Sequence, residues 1–90
     1  MEKRKLKQIE PEMKQRILKA IGKTWNYIGD DLLSETGDIS QAEAVECVLD
    51  ADRVTSFGGD TEAAKVLYEL TYTEMKKLAK EVLPFKRYGM

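Results

Sequence analysis

The sequence contains no histidine and one cysteine, Cys47. Without histidine the chain lacks the commonest general base, the usual proton switch near neutral pH and the commonest metal ligand. A zinc site would depend on carboxylates, and the acidic sequence Asp50-Ala51-Asp52 lacks the downstream glycine and glutamate that a calcium loop requires. We therefore expect no catalytic residues, no metal, no cofactor and a non-enzymatic role.

Long apolar runs are also missing from the sequence. No stretch approaches the roughly 20 apolar residues that a transmembrane helix needs. The N-terminal segment, residues 1–7, is basic and no apolar stretch follows it, which is unlike a secretory signal. Together with the lone cysteine, these features predict an intracellular, cytoplasmic protein that does not bind membranes. Its 90 residues suit one small domain.

Apolar residues recur at spacings of three and four over three segments, and no sustained alternation indicates a strand. We predict an all-α fold with helices over about residues 11–36, 40–56 and 61–83. A proline suits the first position of the first helix, while Pro84 disfavours helix at the residue before it. The sequence Ser40-Gln41-Ala42-Glu43 has the pattern of a capping box at the start of the second helix.

Each predicted helix has an apolar stripe that is expected to face the core. The first stripe consists of Met13, Ile17, Ile21, Thr24, Ile28 and Leu32. The second consists of Ala42, Val45 and Leu49, with Val48 alongside. The third consists of Ala64, Leu67, Leu70, Met75, Leu78 and Val82.

The connections between these helices are short. Gly37 is a plausible end for the first helix and Gly58-Gly59 for the second. Because short loops make consecutive helices antiparallel neighbours, we predict a three-helix up-down-up bundle. The bundle domain covers residues 11–83, after a basic N-terminal arm of residues 1–10 and before a C-terminal tail of residues 84–90.

Charge is segregated along the chain. Residues 1–23 carry eight basic and three acidic groups, for a net charge of +5. Residues 24–62 carry ten acidic groups against Arg53 alone, for −9, and residues 63–90 carry six basic and three acidic groups, for +3. The whole chain has a net charge of only −1, so we expect these regions to pair in space.

The up-down-up order predicts which charged ends meet. Asp60 and the acidic end of the second helix would lie beside the basic start of the first. The acidic end of the first helix would lie beside the basic end of the third, which holds Lys76, Lys77 and Lys80. Since exposed ion pairs contribute only about 0–1 kcal/mol each, they would select the topology more than stabilise it.

The third helix is apolar around more than one stripe. Tyr68, Tyr72 and Met75 form a second row beside the core row. A helix with this pattern buries two sides. The row either packs against both neighbouring helices or contacts another subunit or a partner protein, so its three residues are candidates for partner binding.

The first helix offers a second candidate surface. Gly22 and Gly29 are seven residues apart and lie near one face, where another backbone has room to approach. Trp25 and Asn26 lie between them, and a tryptophan at the edge of an apolar stripe is either a lid on the core or a binding hot spot. The glycines fit close approach by a neighbouring helix or by a partner.

Two functions remain open at this point. The first is a protein–protein interaction module, such as an adaptor, inhibitor or small regulatory protein, whose partner is another protein or a second copy in a homodimer. The alternative is a nucleic-acid-binding accessory protein that holds phosphates through basic residues near the N-terminus. Those residues are Lys3, Arg4, Lys5, Lys7, Lys14 and Arg16.

Overall fold

The computed structural model describes residues 8–36 and 40–83, apart from the side chains of residues 30–36 and 51. This part of the chain is helical and contains no strand, which confirms the all-α prediction. Its helices are α1 (Pro11–Thr36), α2 (Gln41–Leu49), α3 (Arg53–Phe57), α4 (Thr61–Tyr68) and α5 (Tyr72–Val82), with a 3₁₀ turn (Asp50–Asp52) between α2 and α3.

Helix α1 has the predicted bounds and is the centre of the fold, because it packs against each of the other four helices. The members of its stripe that are buried or partly buried are Met13, Ile17, Ile21, Thr24 and Ile28. Thr24 is fully buried, and its hydroxyl donates to the Ala20 carbonyl oxygen over 2.9 Å. Without this hydrogen bond, the hydroxyl of Thr24 would be buried in the core without a partner.

The predicted second helix begins as expected but is not continuous. Ser40 and Glu43 form the capping box: the Glu43 N–H donates to Ser40 Oγ over 3.2 Å, and Ser40 N–H donates to Glu43 Oε1 over 3.4 Å. The helix then stops at Leu49, and the chain passes through the 3₁₀ turn before α3 begins. Asp52 adopts the left-handed conformation there, with φ 57° and ψ 31°.

The periodicity explains this break. An unbroken helix would place Asp52 and Arg53 three and four residues after Leu49, on the side that faces the core. Burying these charges would be costly. Aspartate tolerates the left-handed region better than most residues. The turn at Asp52 therefore shifts the helical phase, and Val54 becomes fully buried while Asp52 stays exposed.

The predicted third helix is also broken, between α4 and α5. Asp60 caps α4 as expected, since its carboxylate accepts from the Ala63 N–H over 3.1 Å. Helix α4 ends in a tight turn at Glu69 and Leu70, and Thr71 then caps α5 by accepting from the Glu74 N–H over 3.3 Å. The Thr71-to-Glu74 spacing repeats the Ser40 pattern, so the sequence contained a signal for this second start.

Several finer predictions are therefore wrong. The described residues form five helices instead of three, and the up-down-up order of the three segments stays a prediction. Ala42 is exposed, and Ala44 joins the predicted Val45, Val48 and Leu49 on the buried face of α2, since it lies four residues before Val48. Val82 is partly exposed, and Leu83 enters the core instead. The predicted stop at Gly37, the side chain of Leu32 and the tail over 84–90 lie outside the described residues.

Glycines end α3, as predicted, and allow it to approach α1. A Cβ atom at Gly58 would lie 3.0 Å from the Ala20 Cβ and 3.1 Å from the Ala20 carbonyl oxygen. Gly59 follows with φ 77°, a conformation that favours glycine. Together they turn the chain between α3 and the Asp60 cap of α4.

None of the helices in the described ranges is long and apolar enough to cross a bilayer.

Candidate functional site

The predicted row of Tyr68, Tyr72 and Met75 does not form one continuous surface. The break between α4 and α5 separates Tyr68 from the other two residues. Met75 belongs to the core, Tyr68 is half-buried, and Tyr72 is 47% exposed. Of the three residues, Tyr72 has the side chain that is most available to a partner.

Tyr68 joins α4 to the end of α2. Its hydroxyl donates to the Leu49 carbonyl oxygen over 3.4 Å, which supplies a hydrogen bond to one of the carbonyls left unpaired at the end of a helix. Burial raises the pKa of Tyr68, and the nearby negative charges of Asp52 and Asp50 raise it further. The phenol therefore stays protonated and able to donate this bond over the physiological pH range.

Tyr72 borders an open groove between the last turn of α2 and the start of α5. The groove encloses about 480 Å³ and is lined by Glu46, Cys47, Leu49, Asp50 and Tyr72. Tyr72 is at the first position of α5, directly after the Thr71 cap. The break before α5 and the end of α2 are therefore what open this groove.

The end of α2 at this groove is negative. Its last turn contains no basic residue, and the unpaired carbonyls at a helix C-terminus carry a partial negative charge. The carboxylates of Glu46 and Asp50 add to that charge. In the described part of the chain neither carboxylate forms an ion pair with a lysine or arginine.

Two cations lie near the groove without pairing with those carboxylates. Arg53 donates from Nη1 to the Cys47 carbonyl oxygen over 3.0 Å and so offsets part of the charge at the end of α2. The Nζ atom of Lys76 lies 5.0 Å from the centre of the Tyr72 ring, within the range of a cation–π interaction. The Tyr72 ring therefore already attracts an ammonium group in this environment.

The second predicted surface, on α1, is largely covered from within. Trp25 is half-buried against the core, and its ring lies across Gly29: a Cβ at Gly29 would lie 2.9 Å from Trp25 Cε2. A Cβ at Gly22 would meet Val82 Cγ1 of α5 at 3.4 Å. Asn26 is exposed. The glycines thus accommodate a tryptophan of the same helix and the end of α5.

An exposed aromatic pair was missed by the sequence reasoning. Tyr27 on α1 and Phe57 at the end of α3 stack with their ring centres 5.5 Å apart. Tyr27 is 68% exposed and Phe57 is 39% exposed. The pair joins residues of two helices whose contact depends on Gly58, so no local pattern in the sequence could have revealed it.

The predicted basic residues that the structure describes are engaged in ion pairs. Arg16 donates from Nε and Nη2 to the two carboxylate oxygens of Asp60, each over 2.8 Å, and from Nη1 to Glu62 Oε1 over 2.7 Å. Lys14 Nζ lies 3.5 Å from Glu81 Oε1. Phosphate would have to compete with these carboxylates at both positions. Lys3, Arg4, Lys5 and Lys7 lie outside the described residues.

The Arg16 cluster also changes the ionisation of its members. The hydrogen bonds from Arg16, with further help from the Ala63 N–H, lower the pKa of Asp60 from its ordinary value of 3.8 to about 2. The same hydrogen bonds raise the pKa of Arg16 above its usual range. The predicted pairing of Asp60 with the basic start of the first helix is confirmed, whereas among the described residues Asp50 and Asp52 form no ion pair with that start.

The end of α5 lies beside the first half of α1, as the Lys14–Glu81 and Gly22–Val82 contacts show. The prediction that the basic end of the third segment, with Lys76, Lys77 and Lys80, lies beside the acidic end of the first helix is therefore wrong for the end of α5. In the described ranges no group of three potential ligands is placed to hold a metal ion.

Comparison with known proteins adds no relative. No family model matches the chain, and no curated protein or solved structure matches it either.

Proposed function

We propose that this protein is a small protein–protein interaction module that binds a segment of another protein in the groove between α2 and α5. The observation that carries the proposal is Tyr72, a large aromatic side chain that is 47% exposed at the edge of a groove of about 480 Å³. Half-exposed aromatic residues at the edge of a concave surface are typical of binding hot spots.

The shape and composition of the groove favour a protein segment as the occupant. Leu49 and Tyr72 supply apolar surface, while Glu46 and Asp50 supply carboxylates. Protein interfaces combine apolar and polar side chains.

The groove also has firm support beneath it. Val45 and Val48 of α2 and Met75 of α5 are buried, so both helices that form its walls pack against the core. The Ser40–Glu43 capping box fixes the start of α2, and the Thr71 cap fixes the start of α5. A preformed surface loses little conformational entropy when it binds a partner.

A random-peptide library displayed on phage and selected against the purified full chain would test this function. We expect the selected peptides, when added to the free protein, to shift the amide NMR signals of Glu46, Asp50 and Tyr72. The variant Tyr72→Ala should weaken their binding by roughly tenfold or more, which corresponds to about 1.4 kcal/mol.

Tyr27→Ala is the matched control, because it removes an exposed tyrosine that does not line the groove. If the peptides shift the signals of Tyr27 and Phe57 instead, or if Tyr27→Ala weakens binding as much as Tyr72→Ala, the groove is not the binding site. Failure to enrich any peptide would also contradict the proposal. A dimer in light scattering that Tyr72→Ala dissociates would identify a second copy of the chain as the occupant.

A further inference from the structure

We propose that two copies of this chain associate through one exposed face of α1, with the two helices antiparallel and centred on Asn26 and Tyr27. This surface, called the open face of α1, is a row of exposed residues at spacings of about one helical turn. Its described members are Gln15, Lys19, Lys23, Asn26 and Tyr27. None of them lines the groove between α2 and α5, so the inference does not depend on the function proposed above.

An aromatic side chain lies at the middle of the open face. Tyr27 is 68% exposed, more than any other large apolar side chain among the described residues. Its ring stacks on Phe57 of α3 with the ring centres 5.5 Å apart, so a second helix already fixes its position. Aromatic residues are enriched at the centres of protein interfaces, where their loss weakens binding most.

The charges of α1 are arranged about this centre in a way that suits a second copy. Lys23 is three residues before Asn26, and Asp30 is three residues after Tyr27. Because Lys23 and Asp30 are seven residues apart on one continuous helix, both positions belong to the same face. An antiparallel pair therefore sets Lys23 of each copy opposite Asp30 of the other, and twofold symmetry supplies this contact twice.

The helix dipole favours the same arrangement. The basic residues of α1 all lie in its first half, and its last turn, where the dipole is negative, contains none. The end of α5 lies beside the first half of α1, so its basic residues do not lie beside this acidic end. In an antiparallel pair, the acidic end of each α1 lies beside the basic half of the other.

The lysines of the open face are available for this contact. In the described part of the chain neither Lys19 nor Lys23 forms an ion pair, whereas Lys14 and Arg16 do. Hydrogen bonds from Arg16 lower the pKa of Asp60 most, and the nearby charge of Lys23 contributes least. Both carboxylate oxygens of Asp60 accept from Arg16. Lys23 can therefore pair with a carboxylate of a second copy.

Nucleic acid fits this face less well. Lysines bind phosphates, and an exposed tyrosine ring can stack on a base. However, Asp30, Asp31 and Glu35 in the second half of the helix would repel a phosphate chain that continued along it. A second copy of the chain uses both the basic and the acidic half.

Sedimentation equilibrium of the full chain tests the association. We expect a monomer–dimer equilibrium that is tighter at low salt, since exposed ion pairs are screened by salt. Tyr27→Ala should weaken dimerisation by roughly tenfold or more, and Tyr72→Ala should leave it unchanged. A chain that stays monomeric at millimolar concentration and low salt would overturn the inference. A dimer that Tyr72→Ala dissociates and Tyr27→Ala does not would overturn it too.

A charge exchange tests the antiparallel register. Lys23→Glu and Asp30→Lys should each weaken dimerisation by roughly tenfold, because each variant sets like charges opposite each other at both symmetric contacts. An equimolar mixture of the two variants should restore dimerisation, since opposite charges then meet at both contacts of the mixed dimer. A folding defect in either variant would not be repaired by mixing. A mixture that stays monomeric while the wild type dimerises would exclude this register.

Lys77→Glu is the matched control for the charge exchange. It makes the same change of charge at an exposed position of α5, which contacts α1 through Lys14 and Gly22 instead of the open face. It should change the dimer dissociation constant by less than about twofold, because distant exposed charges are largely screened. Equal weakening by Lys77→Glu and Lys23→Glu would indicate a general effect of net charge and overturn the inference.

Discussion

Two helix junctions in this protein carry acidic side chains, and in the described structure only one of them pairs those acids with a base. Where α4 begins beside α1, Arg16 binds Asp60 through two hydrogen bonds and Glu62 through a third. Where α2 ends beside α5, Glu46 and Asp50 border an open groove without such a pair. The first junction is closed by ion pairs, and the second is open to solvent in the described structure.

The difference arises from the position of the acids on their helices. Asp60 caps the N-terminus of α4 and Glu62 lies in its first turn, where the helix dipole favours negative charge. Asp50 lies at the C-terminus of α2, where the dipole disfavours it. In the described structure the charge of Asp50 is therefore stabilised neither by an ion pair nor by the dipole of α2.

Core packing beneath the paired junction should dominate stability. Leu67 of α4 is fully buried, so Leu67→Ala should lower the free energy of unfolding by about 2–5 kcal/mol through lost burial and a residual cavity. Tyr72→Ala at the groove should cost less than about 1 kcal/mol, because half of its side chain is exposed. Urea denaturation of both variants measures this contrast, and equal losses would contradict it.

The ion pair at Asp60 should make stability depend on pH. Its pKa in the folded protein is about 2, below the ordinary 3.8, so its contribution is present above about pH 4 and is lost as the pH falls toward 2. Asp60→Asn retains a capping side chain but loses the charge. We expect this variant to melt below the wild type at neutral pH, with the difference shrinking between pH 4 and 2. A difference that does not vary with pH would exclude this role for the pair.

Removing the negative charge of Asp50 at the groove should raise stability, opposite to the effect expected for Asp60→Asn. Asp50→Asn relieves an unfavourable contact with the negative end of α2, so we expect it to raise stability by about 0.3–1 kcal/mol at low salt. Added salt should reduce the gain. Thermal denaturation beside Asp60→Asn checks the contrast directly. Loss of stability in Asp50→Asn would indicate that Asp50 supports the fold, and the distinction between the two junctions would fail.

The contact between Trp25 and Gly29 should influence fluorescence more than stability. A methyl group at Gly29 would come within 2.9 Å of the Trp25 ring and displace it toward solvent. Alanine also favours helix over glycine by about 1 kcal/mol, so the two effects oppose each other. Gly29→Ala should shift the tryptophan emission to longer wavelength with a stability change below about 1 kcal/mol. An unchanged spectrum would show that the ring accommodates the methyl group in place.

Local sequence patterns determined the helical class and most of the helix starts. The spacing of Ile17, Ile21 and Thr24 defined the buried face of α1, while Ser40 and Asp60 marked the starts of α2 and α4. Each of these signals lies within a few residues along the chain, because caps and helical periodicity act over one or two turns. The start of α5 at Thr71 carries a similar capping signal, although the sequence pattern had predicted one continuous helix there.

Only the tertiary structure decided which acidic residues form ion pairs between helices and where a groove remains open to solvent. Arg16 meets its carboxylate partners 44 and 46 residues away in the chain, and Tyr68 reaches the end of α2 across 19 residues. The groove depends on the relative placement of the end of α2 and the start of α5. The sequence by itself showed that the middle of the chain is acidic. Packing around α1 determined which of those acids form ion pairs and which remain without one, because pairing depends on distances that periodicity does not specify.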